Sequence, residues 1–266
     1  MGSLCYGIDL GSNNLKMYCK EGDYILQTKN MVAVENKKII AYGDEAYAMY
    51  EKAPANIEVS YPMSYGNIGS INNLEVFLKS LLEKTTKNAL KGADYYLALP
   101  TDVQDRVFTT LIQDAGLKAR SINMIDMPVA AGLGLGINVK EAQGVLVVDV
   151  GADTTEVSIL SLGGIVISRL IKVGGNQIDE AIISAIRREH NYFIGSKTAE
   201  QVKKQLAYAV IPENAEEEKM KICGRNMVLG LPAILEIDAK FVSESIKEVL
   251  KQIMDTVKVI LERTPP

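Results

Sequence analysis

The sequence predicts an α/β fold in which one structural plan occurs twice. Residues 7–14 (GIDLGSNN) and 148–155 (VDVGADTT) each run from an apolar strand into Asp-x-Gly, small polar residues and a second strand. A repeated strand, turn and strand with an acid and a glycine at the tip predicts two hairpins that face a charged ligand between two similar domains. We expect these domains at 1–140 and 141–266.

Hydrophobic periodicity assigns the elements within each half. In the first half, alternation predicts a meander, short strands and a helix in a small inserted subdomain at about 31–66, and then alternating helices and strands. In the second half, a similar meander leads into helices, a small subdomain at about 190–240 and a long amphipathic helix. The second half has no counterpart of the last two core strands, which predicts a sheet edge that is open or covered by something else.

Composition and charge exclude several classes of protein. A net charge of −4 and a pI near 5.3 provide no basic surface for nucleic acid. The sequence has no apolar run near the roughly 20 residues that a membrane helix needs. It enters a strand too early for a signal peptide, so we expect a cytoplasmic protein. Cys223 and the single histidine, His190, lack zinc-like spacing to other ligands.

The acids at the two turns are the candidate metal residues. Asp9 and Asp149 end the two repeated strands, where a carboxylate can hold a water of a bound Mg²⁺ ion. The alternative is a turn-forming aspartate that caps its own backbone. Because the same motif occurs twice in matched contexts, we favour a site for phosphate and metal.

The residues around these acids suit phosphate oxygens. Gly11 and Gly151 allow close approach of the backbone, and Lys16 can direct its ammonium toward a phosphate. Hydroxyl and amide donors follow each glycine, at Ser12, Asn13, Asn14, Thr154 and Thr155. No P-loop motif occurs. The glycines at 132, 134 and 136 lie within a predicted helix, which favours close helix packing over a dinucleotide site.

The motifs together resemble one family. The chain is similar to the MreB family of bacterial actins, in the actin/Hsp70/sugar-kinase superfamily, along essentially its whole length and more weakly before residue 140. The resemblance is carried by DVGADTTE at 149–156, LGGIV at 162–166, VGG at 173–175, DEAII at 179–183, IG at 194–195, TAE at 198–200, GLP at 230–232 and LERTPP at 261–266.

This resemblance implies a fold and a function. It implies two RNase H-like domains, each with a smaller subdomain, that face a central cleft holding ATP or ADP with Mg²⁺. It also implies filaments under the inner membrane that determine cell shape together with wall-synthesis proteins. Residues 11–14 and 151–155, which include Ala152 and Asp153, would be the phosphate loops, and Glu200 and Lys203 would hold the nucleoside.

Several positions depart from the family pattern. The family's water-positioning glutamate precedes a proline, but Met127 stands before Pro128 here, and a thioether cannot orient water. Asp126 is therefore the remaining candidate for a catalytic acid. Asp153 brings a carboxylate to the second loop, where it opposes phosphate charge. Tyr65 and Ser70 replace two family aspartates. We predict at most a weak ATPase.

The ends of the resemblance leave other hypotheses open. Family members continue past Pro265 and Pro266 with a strand, an adenosine loop and a helix that this sequence does not contain. A nucleotide-free scaffold that pairs with itself or a partner is therefore an alternative, and a small-molecule kinase lacks its base and substrate insert. Residues 84–91 correspond to a membrane-touching loop of the family, although a solvated helix end is equally compatible with their sequence.

Overall fold

The computed structural model describes most of the chain. The described residues are 4–85, 92–103, 105–115 and 118–264. Two compact units, 1–172 and 173–266, divide the chain by its internal contacts. The division into domains at 1–140 and 141–266 follows the sequence repeat and stays a prediction. The contacts group the second meander with the first unit because one helix, Met127–Gly134, packs both on the second meander and on the strands Ala93–Leu99 and Ala119–Asp126 of the first sheet.

Unit 1 carries both repeated hairpins. Its strands are β1 (Leu4–Leu10), β2 (Asn14–Cys19), β3 (Tyr24–Lys29), β4 (Val32–Glu35), β5 (Lys38–Tyr42), β6 (Ile57–Ser60), β7 (Met63–Ser64), β8 (Asn67–Ile68), β9 (Ala93–Leu99), β10 (Ala119–Asp126), β11 (Val145–Val150), β12 (Thr155–Ser161) and β13 (Gly164–Ile171). Its helices are α1 (Asp44–Met49), α2 (Ile71–Thr85), α3 (Asp105–Asp114) and α4 (Met127–Gly134).

The largest sheet of unit 1 has the strand order β10-β9-β1-β2-β3. β1 to β3 form the predicted antiparallel meander, whereas β9 pairs in parallel with both β1 and β10. Alternate residues of β1, namely Tyr6, Ile8 and Leu10, are buried, as expected for a strand with one face on a core. The sheet thereby fixes the position of Asp9 at the carboxyl end of β1.

Helices α2 and α3 contribute to the core of this sheet. Five apolar residues of α2 recur at helical spacing and are buried: Leu74, Phe77, Leu78, Leu81 and Leu82. α3 contributes Phe108, Leu111 and Ile112 to the same core. α3 begins at Asp105, because the chain after Pro100 first makes a turn in which Val103 N donates to Pro100 O.

The segment between the meander and α2 has a small sheet and core of its own. β5, β4 and β6 make a three-stranded sheet, and α1 packs on it. Small and flexible side chains fill this core, at Met31, Ala33, Ala41 and Ala46. β7 and β8 then form a hairpin whose turn residues, Tyr65 and Gly66, both have positive φ angles of 50° and 74°.

The second meander packs against α4. Its strands have the order β11-β12-β13, and β11 lies at the sheet edge within the described residues. Gly132 is buried in α4, where an added Cβ would lie 3.0 Å from Val139 and 3.1 Å from Leu160. Close packing therefore explains Gly132, as predicted. It does not explain Gly134 or Gly136, where an added Cβ would meet nothing within 4 Å.

Unit 2 combines a small sheet with three helices. Its elements are α5 (Gly175–His190), β14 (Tyr192–Phe193), α6 (Ser196–Leu206), β15 (Lys219–Asn226), β16 (Pro232–Asp238) and α7 (Ala239–Arg263). The strands pair in the order β14-β15-β16. Ile182 and Ile186 of α5 pack with Val202 of α6 and Ile246 of α7. Asp238 caps α7 by accepting a 2.7 Å hydrogen bond from Phe241 N.

Across the described ranges, no helix combines the length and apolar character needed to cross a bilayer.

An interior strand of the largest sheet, β9, supports a stability prediction. We expect Leu97→Ala, at a fully buried site in β9, to lower the free energy of unfolding by about 2–5 kcal/mol, because it leaves a cavity between sheet and helices. Ile25→Ala, at a site in β3 that is 72% exposed, should change it by less than about 0.5 kcal/mol. Urea unfolding measures both, and equal effects would contradict the described core.

Candidate functional site

The two repeated hairpins have the same register. In the first, Asp9 pairs across the strands with Lys16, and in the second, Asp149 pairs with Glu156. Residues paired in this way project from the same face of the sheet. The duplication predicted from sequence therefore extends to the cross-strand pairs, but one pair joins opposite charges and the other joins two acids.

A cavity of about 270 Å³ lies between the two tips, within unit 1. This volume suits a phosphate chain and a cation better than a whole nucleotide. The cavity is lined by Asp9, Leu10, Gly11, Ser12, Asn13, Asn14, Lys16, Gly66, Pro100, Met127, Asp149, Val150, Gly151, Ala152, Asp153, Thr154 and Glu156. The structure thus brings together the predicted residues of both loops except Thr155, which is buried in β12 and does not line the cavity.

Glycine at the two turns has a steric reason. An added Cβ would lie 2.7 Å from Asn14 O at Gly11 and 3.1 Å from Thr154 O at Gly151. Gly151 N donates to Thr154 O at 2.8 Å, which closes the second turn. Asn30, which is fully buried, braces the first turn, because its side-chain amide donates to Gly11 O at 2.9 Å. The two loops are therefore held in place by the fold.

Carboxylates dominate the charge of the cavity. Lys16 Nζ lies 3.0 Å from Asp9 Oδ2 and stays half-exposed. Burial raises the pKa of Asp149, the nearby Asp9 raises it further, and Lys16 lowers it in part. Asp153 and Glu156 add two more acids to the lining. Because this set repels a bare anion, a phosphate ligand requires a cation beside it.

Asp153 has a structural partner. Its Oδ2 accepts a 2.9 Å hydrogen bond from Tyr65 N, in the turn between β7 and β8. Only 8% of Asp153 is exposed. Asp153, which we expected to oppose phosphate charge, thus also ties the second loop to the β7–β8 hairpin. Tyr65, which departs from the family pattern, makes this contact through its backbone N–H.

Met127 and Asp126 lie differently. Met127 lines the cavity, as expected for the position of the water-positioning residue. Asp126 is exposed at the end of β10, precedes α4 without a side-chain capping bond, and is not among the lining residues. A catalytic role for Asp126 stays a prediction that the geometry does not favour.

Glu200 and Lys203 lie in unit 2, on α6. Lys203 Nζ donates to Asp179 Oδ2 and to Gly175 O, both at 2.8 Å, and Glu200 Oε1 accepts from Lys204 Nζ at 2.8 Å. Burial raises the pKa of Asp179, although the hydrogen bond from Lys203 lowers it. The ammonium of Lys203 is therefore fixed at the start of α5, where the backbone carbonyl of Gly175 accepts a hydrogen bond from it.

Glu156 is the charged residue of the cavity lining to which the sequence assigned no role. It is 4% exposed, and its Oε1 accepts hydrogen bonds from Thr101 and Ser168. A signal was present in the sequence, because Glu156 follows Asp149 at the same distance at which Lys16 follows Asp9.

The raised pKa of Asp149 predicts a pH-dependent stability. The folded state binds the proton of the Asp149 carboxyl more tightly than the unfolded chain does. Protonated Asp149 therefore stabilises the folded state below about pH 4, and this contribution is lost as the pH rises through the folded pKa. In metal-free and nucleotide-free protein at pH 7, we expect Asp149→Asn to raise the free energy of unfolding. The gain should shrink as the pH is lowered toward 4.

Urea unfolding at several pH values measures this effect. Asp102→Asn, at an exposed aspartate of the same unit, is the control and should change stability little. A loss of stability in Asp149→Asn at pH 7 would show that the ionised carboxylate is stabilised by its surroundings.

The comparisons with known proteins agree with this geometry. Residues 3–266 match the MreB/Mbl protein family. The chain is 33% identical to the cell shape-determining protein Mbl of Bacillus subtilis, over 98% of this chain and 79% of that protein. It is also 33% identical to the cell shape-determining protein MreB of Escherichia coli K12, over 97% of this chain and 77% of that protein.

A solved structure gives the same result. The crystal structure of MreB5 of Spiroplasma citri bound to AMPPNP superposes with a TM-score of 0.93 at 33% identity, over 100% of this chain and 80% of that chain. The predicted actin-like α/β fold of two RNase H-like domains is thereby confirmed. The chain belongs to the MreB/Mbl family.

Proposed function

We propose that this chain is an actin-like cytoskeletal protein that binds ATP or ADP with Mg²⁺, assembles into filaments and acts in the determination of cell shape. The cavity between the twin hairpins carries the proposal, because it combines two glycine turns, a lysine and two strand-end carboxylates. The relatives support it, since two are named cell shape-determining proteins and MreB5 of S. citri has been crystallised with AMPPNP.

The residues present fit a magnesium ion held mainly through water. Mg²⁺ prefers oxygen ligands and usually keeps several waters while it joins one or two carboxylates to phosphates. Asp9 and Asp149 are two such carboxylates, and the pKa of Asp149 is raised partly by Asp9, a repulsion that a cation would relieve. Within the described residues, no cluster of three or more acidic, histidine or cysteine side chains forms a closed metal cage.

The phosphates would contact the two loops. Ser12, Asn13, Asn14, Thr154 and the loop amides are the donors, and Lys16 supplies a positive charge at the tip of the first hairpin. Glu200 and Lys203 are the proposed contacts of the nucleoside, in unit 2. Because a thioether stands at position 127, we propose slow hydrolysis, so that nucleotide serves mainly to control assembly.

The resemblance to the family also supports a proposed cellular location and proposed partner proteins. We propose a cytoplasmic protein that forms filaments or dimers at the inner membrane surface and works with wall-synthesis proteins. The membrane segment was predicted at 84–91, of which 86–91 lie outside the described residues. Liposome pelleting tests the membrane contact, and protein that stays in the supernatant would contradict it.

A second candidate function is a nucleotide-free scaffold. β11 lies at the edge of its sheet in the described part of the chain, and Leu146, Val148 and Val150 are each between 37% and 50% exposed. Such an edge can pair with a strand of a partner or a second copy. Calorimetry with ATP and Mg²⁺ separates the two candidates, since micromolar binding would exclude the scaffold.

Lys16 provides a direct test of the phosphate site. We expect Lys16→Gln to weaken ATP–Mg binding about tenfold or more, because a charge-assisted contact contributes roughly 1.5–3 kcal/mol. Lys38→Gln, at an exposed lysine of β5, is the matched control and should bind as the unmodified chain does. Calorimetry measures both. Unchanged affinity in Lys16→Gln would remove Lys16 from the site.

Assembly is tested by sedimentation. We expect the chain to pellet as filaments with ATP and Mg²⁺, and to pellet less with EDTA, because removing Mg²⁺ leaves the cavity acids opposed to the phosphates. Electron microscopy of the pellet distinguishes filaments from aggregates. A strict monomer in every nucleotide condition would contradict the filament role and leave nucleotide binding as a separate result.

A further inference from the structure

Glu156 is a buried acid in the cavity that the proposed function does not use. It lies on β12, lines the cavity and is only 4% exposed. Burial of a carboxylate costs free energy unless hydrogen bonds compensate it. We therefore expect hydrogen bonds to its carboxylate oxygens.

One oxygen of Glu156 is held and the other is not. Oε1 accepts from Thr101 N at 3.4 Å, from the Thr101 hydroxyl and from Ser168 Oγ at 2.9 Å. Ser168 Oγ in turn lies 2.8 Å from Ser158 Oγ. All these bonds fall on Oε1, and none within the described residues falls on Oε2. The side chain is thus fixed in direction while one oxygen can still accept a hydrogen bond.

The repeat places Glu156 where a ligand contact is expected. It occupies in the second hairpin the cross-strand position that Lys16 occupies in the first. Two of the other cavity acids have partners in the fold, since Asp9 is paired with Lys16 and Asp153 accepts from Tyr65 N. The third, Asp149, is assigned to Mg²⁺ in the proposed function. Met127 lines the same cavity but offers no strong acceptor.

We infer that Glu156 orients the water that attacks the γ-phosphate of bound ATP, a role that Met127 cannot fill. This inference rests on the proposed function. Oε2 accepts a hydrogen bond from the water, much as an oriented side chain positions water in other nucleoside triphosphatases. The water oxygen bonds to the γ-phosphorus, and the bond from that phosphorus to the bridging oxygen breaks. ADP leaves with the electron pair, one water proton stays on the released phosphate, and the other passes to solvent.

Glu156→Gln tests the role because Thr101 N is a fixed donor and holds the amide oxygen. The amide NH₂ then occupies the position of Oε2, where it can donate to the water but cannot accept from it.

The experiment measures ATP–Mg binding by calorimetry and phosphate release in single turnover, with the full chain. We expect Glu156→Gln to keep its ATP affinity within about threefold and to lose phosphate release about tenfold or more. Glu58→Gln, at an exposed glutamate of β6, should match the unmodified chain in both. Glu156→Gln should also keep the thermal unfolding midpoint of the unmodified chain, and a loss of phosphate release with the fold intact excludes a purely structural role of Glu156.

The outcomes separate the inference from the proposed function. Absence of ATP binding in the unmodified chain would contradict the proposed function itself. ATP binding without measurable phosphate release, or with equal release in Glu156→Gln, would overturn the role of Glu156 alone. If Glu156→Gln loses its thermal unfolding transition, Glu156→Asp decides, because it keeps the negative charge and withdraws the carboxylate from the water. Phosphate release that falls about tenfold or more in folded Glu156→Asp supports the inference, and an unchanged rate overturns it.

Discussion

Concentrated negative charge at the tips of two hairpins is the constraint on which the site depends. Four carboxylates and a single lysine line a cavity of about 270 Å³, and the backbone around them is fixed by turns that only glycine fits without displacement. Such an arrangement is unfavourable when it is empty, since burial and Asp9 both raise the pKa of Asp149. It becomes favourable when a divalent cation and phosphates share the space.

The two hairpins are alike in backbone and different in charge. Their registers match pair for pair, so that Lys16 and Glu156 take equivalent positions opposite Asp9 and Asp149. The first hairpin can attract a phosphate, whereas the second presents an acceptor that Thr101 and Ser168 hold in place. This asymmetry is consistent with a site in which both loops contact the phosphates and the second hairpin also orients water.

Local patterns predicted much of the fold, and long-range contacts account for what they missed. The meander and the apolar face of α2 follow from alternation and helical spacing, and both are present. β15 reaches Asn226 although its apolar alternation stops after Ile222, because pairing with β16 continues along its whole length. The contact between Tyr65 and Asp153 joins distant segments that no local pattern relates. Lys203 and Asp179 are likewise brought together only by helix packing in unit 2.

The most direct test is a crystal structure of this chain determined from crystals grown with AMPPNP and Mg²⁺. We expect electron density for the β- and γ-phosphates between residues 11–14 and 151–154, with Mg²⁺ and its waters beside Asp9 and Asp149. Nucleotide bound elsewhere, or a cavity that holds only solvent at saturating nucleotide, would contradict it.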